Sequence, residues 1–312
     1  MLRGVPRSPA RAAIWSGVFL LIYLVLAYVS IPLIAWAGGY FTGLTVGQLL
    51  STAAATALVL RIFLDLPFSA VGLPANGSGL RNALWGVLGG AGSALLVIAI
   101  PLTLHWAHFE RSTGSGANLR TTLFFPVLIL AGAAGEELLF HGFAFQMLFR
   151  ELGAWAAILP IGLLFGFLHN DNPHHTTLSL INTAAFGILF GFAFLRSRDL
   201  WLPSGLHFGW NVMLPLLGAD LSGITIEPTG VTLVWSSSVL ISGGNYGPEA
   251  SVLTSGILFV LLLYIWKIPV RPQYAPLLSF VPSPPLSTPE VDSLLPRTAS
   301  NSSADSPPST PQ

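Results

Sequence analysis

Cysteine is absent from the 312 residues, so no disulfide, thiolate nucleophile, cysteine-ligated zinc or iron–sulfur cluster can form. Charge is nearly as scarce. Asp, Glu, Lys and Arg together make up 8% of the chain, against roughly 25% in an average soluble domain, which excludes an ordinary soluble globular protein. The few charges also cancel, 13 basic against 13 acidic. Without a basic excess there is no electrostatic footprint for nucleic acid, and none is expected as a partner. Any chemistry falls to Glu, Asp, His, Ser, Thr, Tyr or Asn.

What is there instead is apolar: 53% of the residues are hydrophobic, gathered in uncharged stretches near the ~20 residues that cross a ~30 Å hydrocarbon layer. The pattern predicts an all-α polytopic membrane protein with lipid as its surroundings. Eight spans are read at about 13–37, 44–64, 82–106, 121–149, 153–169, 176–195, 201–217 and 252–268, the fourth interrupted by Glu136–Glu137. With the N-terminus inside, Arg3, Arg7, Arg11, Arg61, Arg81, Arg150, Arg196, Arg198, Lys267, Arg271 and Arg297 all fall on the cytoplasmic side, leaving Arg111 and Arg120 outside. That distribution obeys the positive-inside rule and predicts a cell-membrane protein with both termini cytoplasmic. The apolar run Ile14 to Ile34 is longer than a signal-peptide core, so it is read as a retained helix.

Outside the transmembrane domain, 13–268, lie a cytoplasmic segment, 1–12, and a Pro/Ser-rich tail, 269–312. The tail's composition predicts a disordered cytoplasmic segment. The interval 218–250 is mixed in polarity and reads as an external loop with a short hairpin.

Ionisable groups at bilayer depth cost on the order of 2.5–3.5 kcal/mol each on insertion scales and are functional candidates. Glu136 and Glu137 lie more than a dozen residues from both Arg120 and Arg150. His141 follows one turn on, His169 closes the fifth span, and His207 and Asn211 sit in the seventh. Helical neighbours diverge by about 100°, whereas residues four apart share a face. Glu137 therefore pairs with His141 and leaves Glu136 facing a cavity, Phe165 lies beside His169, and His207 shares a face with Asn211. One free carboxylate, two imidazoles and a carboxamide, drawn from the fourth, fifth and seventh helices, are equipment for amide hydrolysis. Glu136 with His169 would activate water, while His207 and Asn211 would donate to the oxyanion. Glu136, His169 and His207 are equally a zinc set with water in an open fourth position. A proton-coupled transporter using the same groups as a relay is disfavoured by the lack of paired broken helices. His105, His108 and Glu110 at a span end, and Asp171 with His174 and His175 in a loop, read as solvated.

Three stretches, Glu136-Glu137-Leu-Leu-Phe-His141, Phe165-Gly-Phe-Leu-His169 and His207-Phe-Gly-Trp-Asn211, resemble in order and spacing the motifs of the CPBP intramembrane proteases. That family includes the type II CAAX prenyl endopeptidases and the Abi or bacteriocin-immunity proteins. The resemblance covers about residues 120–215. It implies a membrane endopeptidase acting on a membrane-associated or prenylated-type peptide or protein, with Glu136 as base, His169 its partner at the water, and His207 and Asn211 as oxyanion binders. Zinc or a metal-free Glu/His mechanism are both compatible with it. The chain departs from the family at His141, where the family carries Arg. Arg is a permanent charge with a two-pronged fork; His makes one bond to the carboxylate and loses its charge near neutral pH. A non-catalytic immunity or scaffold relative is the alternative.

Overall fold

The computed structural model describes residues 8–112 and 119–279, without the side chains of Arg120 and Thr121. Arg3, Arg7, Arg297 and the tail beyond residue 279 lie outside the described residues. The helices in chain order are α1 (Pro9–Gly38), α2 (Tyr40–Thr42), α3 (Gln48–Leu64), α4 (Gly77–Thr103), α5 (Leu119–His141), α6 (Phe143–Leu152), α7 (Ala154–Leu168), α8 (Thr177–Ser197), α9 (Trp201–Leu216), α10 (Val239–Ser242), α11 (Val252–Lys267) and α12 (Pro276–Ser279). A π-turn, Gly43–Gly47, joins α2 to α3. Strands β1 (Ala107–Arg111) and β2 (Val231–Trp235) pair antiparallel, Ala107 opposite Trp235.

Six stretches are long and apolar enough to cross a bilayer: Pro9–Gly38, Tyr40–Leu64, Gly77–Thr103, Thr122–Leu152, Ala154–Asp171 and Thr177–Ser197. The seventh and eighth expected spans are the 16-residue helices α9 and α11, each about 24 Å long at 1.5 Å per residue. The chain is thus an all-α polytopic membrane protein. Local chemistry starts these helices where the apolar runs begin. Ser8, Asn76 and Ser251 each accept a backbone N–H of their own first turn, and Thr176 with Ser179 forms a reciprocal capping box, satisfying donors that a helix start leaves open. Outward-facing apolar side chains are abundant on α1, with Tyr28 84% and Trp36 86% exposed, as expected of a surface solvated by lipid.

One end of the bundle collects Arg11, Arg61, Arg81, Arg150, Arg196, Arg198, Lys267 and Arg271, and a web of bonds crosses between chain segments there. Ser8 N donates to Glu151 Oε2 at 2.6 Å; Asn82 Nδ2 donates to Asp199 Oδ2 at 2.7 Å and to Arg271 O at 2.9 Å; Arg196 donates to the closing carbonyls of α11. Arg111 lies at the other end, on β1.

Three expectations are corrected. The fourth span breaks at Gly142 and not at Glu136–Glu137: a Cβ at Gly142 would stand 2.0 Å from Leu138 O, so only glycine allows the chain to re-aim into α6. The hairpin expected within 218–250 is a pairing between that loop and the segment after α4. Disorder was expected from Pro269, yet Gln273 N donates to Ser197 O at 2.8 Å and Leu277 is fully buried, so residues 269–279 pack on the bundle.

The closest helix pair is α4 with α9. A Cβ on Gly86 would meet Leu202 O at 2.4 Å, on Gly90 Leu206 O at 2.0 Å, and on Gly209 Val87 O at 2.5 Å. Backbone on backbone at this range is open only to small residues, the usual device of membrane helix packing. It fixes α9, the helix of His207 and Asn211, against a glycine-lined face of α4.

Two predictions follow from this packing. Gly90→Ala should cost about 1–3 kcal/mol by overpacking and lower the unfolding temperature in detergent, whereas Gly92→Ala on the same helix, with nothing within 4 Å of its Cβ, should be neutral or stabilising. Asp199, at the charged end, is pushed up to about 6 by burial, against hydrogen bonds from Asn82 and Leu202 N. A carboxyl raised above its unfolded value of 3.8 stabilises fully at low pH, and stability falls as pH climbs from about 4 through about 6, by on the order of 3 kcal/mol. Asp199→Asn should remove that decline when unfolding is measured at pH 4.5 and pH 7.

Candidate active site

The centre of α5 places two carboxylates differently. Glu137 is 0% exposed and Glu136 26% exposed at the side chain, because adjacent helical residues diverge. Glu137 Oε2 lies 2.7 Å from His141 Nδ1 and Oε1 lies 2.9 Å from His207 Nδ1. An ionised carboxylate only accepts, so both rings donate through Nδ1–H. The expected Glu137–His141 pair is present, and its second arm to His207 is an addition: one buried carboxylate joins α5 to α9.

That bond sets the direction of His207. Its Nε2 is 3.9 Å from Glu136 Oε2, and its ring stacks on Phe190 at 5.0 Å while Phe165 meets it edge-on at 5.9 Å. Phe165 also touches His169, 4.7 Å between centroids, and so spaces the two imidazoles. His169 lies just past the end of α7, where its Nδ1–H donates to Phe165 O at 2.7 Å, satisfying a carbonyl the ending helix leaves open. Its Nε2 remains an acceptor. His141 Nε2 has no partner and lies among the rings of Phe145 and Phe190.

Glu136, His169, His207 and Asn211 all line one cavity of about 390 Å³. Among the described residues Glu136 Oε2 has no hydrogen-bond partner, and His169 bonds to its own helix and not to Glu136. The four residues therefore share walls around a space that water or a ligand can fill.

The zinc set fits less well. Both histidines direct Nδ1–H away from the cavity onto oxygen acceptors, the support that metal-binding imidazoles usually have. As placed, however, no three His, Asp or Glu side chains among the described residues form a metal-holding group, so Glu136, His169 and His207 are not a ligand cage. The same holds for Asp171, His174 and His175.

Other lining residues escape a reading based on charged groups in spans. Glu249 comes from the outer loop; its carboxylate accepts from Trp210 Nε1 at 3.1 Å, Ser222 N at 2.6 Å and Ser222 Oγ at 2.9 Å. Tyr246, fully buried beside it, has its phenol pushed up to about 12 by burial, with Glu249 adding to the effect, and so stays neutral. Tyr23 on α1 and Gln48 on α3 complete the wall. A lone amide within an apolar run was a usable signal for Gln48; for Glu249, in a loop of mixed polarity, there was none.

Residues 118–213 match the family model for "Type II CAAX prenyl endopeptidase Rce1-like". This region is Rce1-like. It holds Glu136, Glu137, His141, Phe165, His169, His207 and Asn211, every residue singled out by motif. Over 95 residues the chain is also 26% identical to "Putative membrane peptidase YdiL" of Bacillus subtilis (strain 168), an alignment covering 30% of this chain and 37% of that protein. The match thus spans little more than a third of the relative's length. The Rce1-like region marks the chain as an integral membrane protein with the core of a membrane-protease family. Tyr23, Gln48 and Glu249 lie outside that region, so part of the cavity wall is supplied by segments the match does not reach.

Proposed function

We propose that the chain is an intramembrane endopeptidase that hydrolyses a peptide bond of a membrane-associated or prenylated-type peptide or protein. The observation that carries this reading is the convergence of an unpartnered carboxylate, two oriented imidazoles and a free carboxamide on one cavity within an apolar bundle.

In this mechanism a water sits between Glu136 and His169 Nε2. Glu136 takes one of its protons as the oxygen attacks the scissile carbonyl, and later gives that proton to the leaving amine. His207, doubly protonated, donates from Nε2, and Asn211 donates from Nδ2, to the oxyanion of the tetrahedral intermediate. Glu137 touches no substrate; it holds the His207 imidazolium in the direction that this donation needs. The end bearing the basic residues faces the cytoplasm of the cell membrane, by the positive-inside rule.

Purified protein in detergent, incubated with a library of hydrophobic peptides, should cleave members of it, and Glu136→Ala should abolish cleavage. Asn211→Ala should retain binding and lose about 10²–10³ in rate, the usual cost of an oxyanion donor. Repeating the assay with a zinc chelator distinguishes a metal-dependent from a metal-free reaction. Absence of cleavage in every condition would favour the non-catalytic relative. His141→Arg tests the support of Glu137: a permanently charged partner should keep or raise activity and flatten its dependence on pH between 6 and 8. Complete loss in a folded variant would count against that pairing.

A further inference from the structure

Gln48 stands where the π-turn Gly43–Gly47 hands over to α3, its backbone N–H shared between the carbonyls of Leu44 and Thr45. A π-turn inserts an extra residue and rotates the helical face that follows; such insertions recur at functional sites. Here Phe41, Leu44, Thr45 and Gln48 all line the cavity. The hydroxyl of Thr45 is committed to Phe41 O at 2.9 Å, the amide of Asn172 to Tyr246 and the hydroxyl of Ser222 to Glu249. The side chain of Gln48, like that of Asn211, has no hydrogen-bond partner among the described residues. Gln146 is the contrast: buried in α6, it donates to Val71 O at 2.7 Å and serves the fold.

An unpaired carboxamide in an apolar span is costly, and Gln48 leaves the cavity contents to satisfy it. A peptide bond becomes hydrolysable only once its helix is locally undone, and the freed N–H and C=O groups then need partners at bilayer depth. A carboxamide presents one acceptor and two donors, matching a peptide group atom for atom. The helix of Glu136, α5, packs against the π-turn and α3 and also against α9, and the two free carboxamides line the same cavity as the unpartnered carboxylate.

We propose that Gln48 is a substrate-binding residue whose carboxamide pairs with the backbone of an extended peptide lying across Glu136, opposite Asn211. This rests on the endopeptidase reading and adds to it a binding residue outside the Rce1-like region.

The probe is a fluorescein-labelled hydrophobic peptide of ~25 residues, long enough to span, with a Gly-Asn-Pro centre that weakens its helix. Binding is read by anisotropy on full-length Glu136→Ala protein in detergent, so that no cleavage occurs. Adding Gln48→Leu should weaken binding about tenfold, with Gln48→Asn intermediate. In the protein that retains Glu136, Gln48→Leu should raise KM by a similar factor and leave kcat within about threefold. The unfolding temperature of Gln48→Leu should equal or exceed that of the unsubstituted protein, because no internal bond is lost. Unchanged peptide affinity would overturn the proposal, as would a marked fall in unfolding temperature, which would make Gln48 an internal strut. If the protein retaining Glu136 cleaves nothing, the endopeptidase reading fails on its own. The binding arm still decides Gln48: a tenfold loss keeps it as a peptide-binding residue, and absence of any peptide binding rejects it.

Discussion

The site depends on one carboxylate that never meets solvent. Glu137 accepts an N–H from His141 on its own helix and another from His207 on α9, and at bilayer depth neither bond has water as a competitor. A carboxylate so enclosed is tolerable only when its oxygens are satisfied, which makes the geometry of both rings a condition of folding. Once His207 is held by Nδ1, the direction of Nε2 follows, and with it the distance to Glu136. Helical phase thus separates two adjacent glutamates, sending one inward to hold the rings and the other to the cavity.

Helix α9 is steadied from three directions: by Glu137, by the glycine contact with α4, and by Glu249 through Trp210. The last two partners lie outside the Rce1-like region. Cavity residues drawn from a third of the chain are therefore aligned by surroundings that occupy much of the rest. At His141 this support departs from the motif that the sequence resembles. In place of a charged fork there is an imidazole whose second nitrogen faces aromatic rings, so Glu137 keeps its bond but loses a permanent counter-charge.

Much of this was legible in the residues because membranes penalise polarity: in a chain with so few charges, Glu136, Glu137, His141, His169, His207 and Asn211 stood out, and helical phase alone sorted Glu136 from Glu137. The misread features depend on contacts between distant segments. Nothing local marks Val231–Trp235 as the partner of Ala107–Arg111, and nothing in a Pro-rich composition says that Leu277 finds a buried slot. Gly142 was hidden in plain view, because the steric collision that demands glycine arises only once Leu138 O is in place. The second bond of Glu137 was out of reach for the same reason, since it spans 70 residues.

The latch between Glu249 and Trp210 has a consequence for traffic. Swinging the outer loop away would strip the Trp210 donor from the Glu249 carboxylate and pull on the very helix that carries His207 and Asn211. The loop behaves as masonry and not as a door. A substrate of the proposed protease would then enter past another part of the cavity wall, where Tyr23 and the π-turn stand.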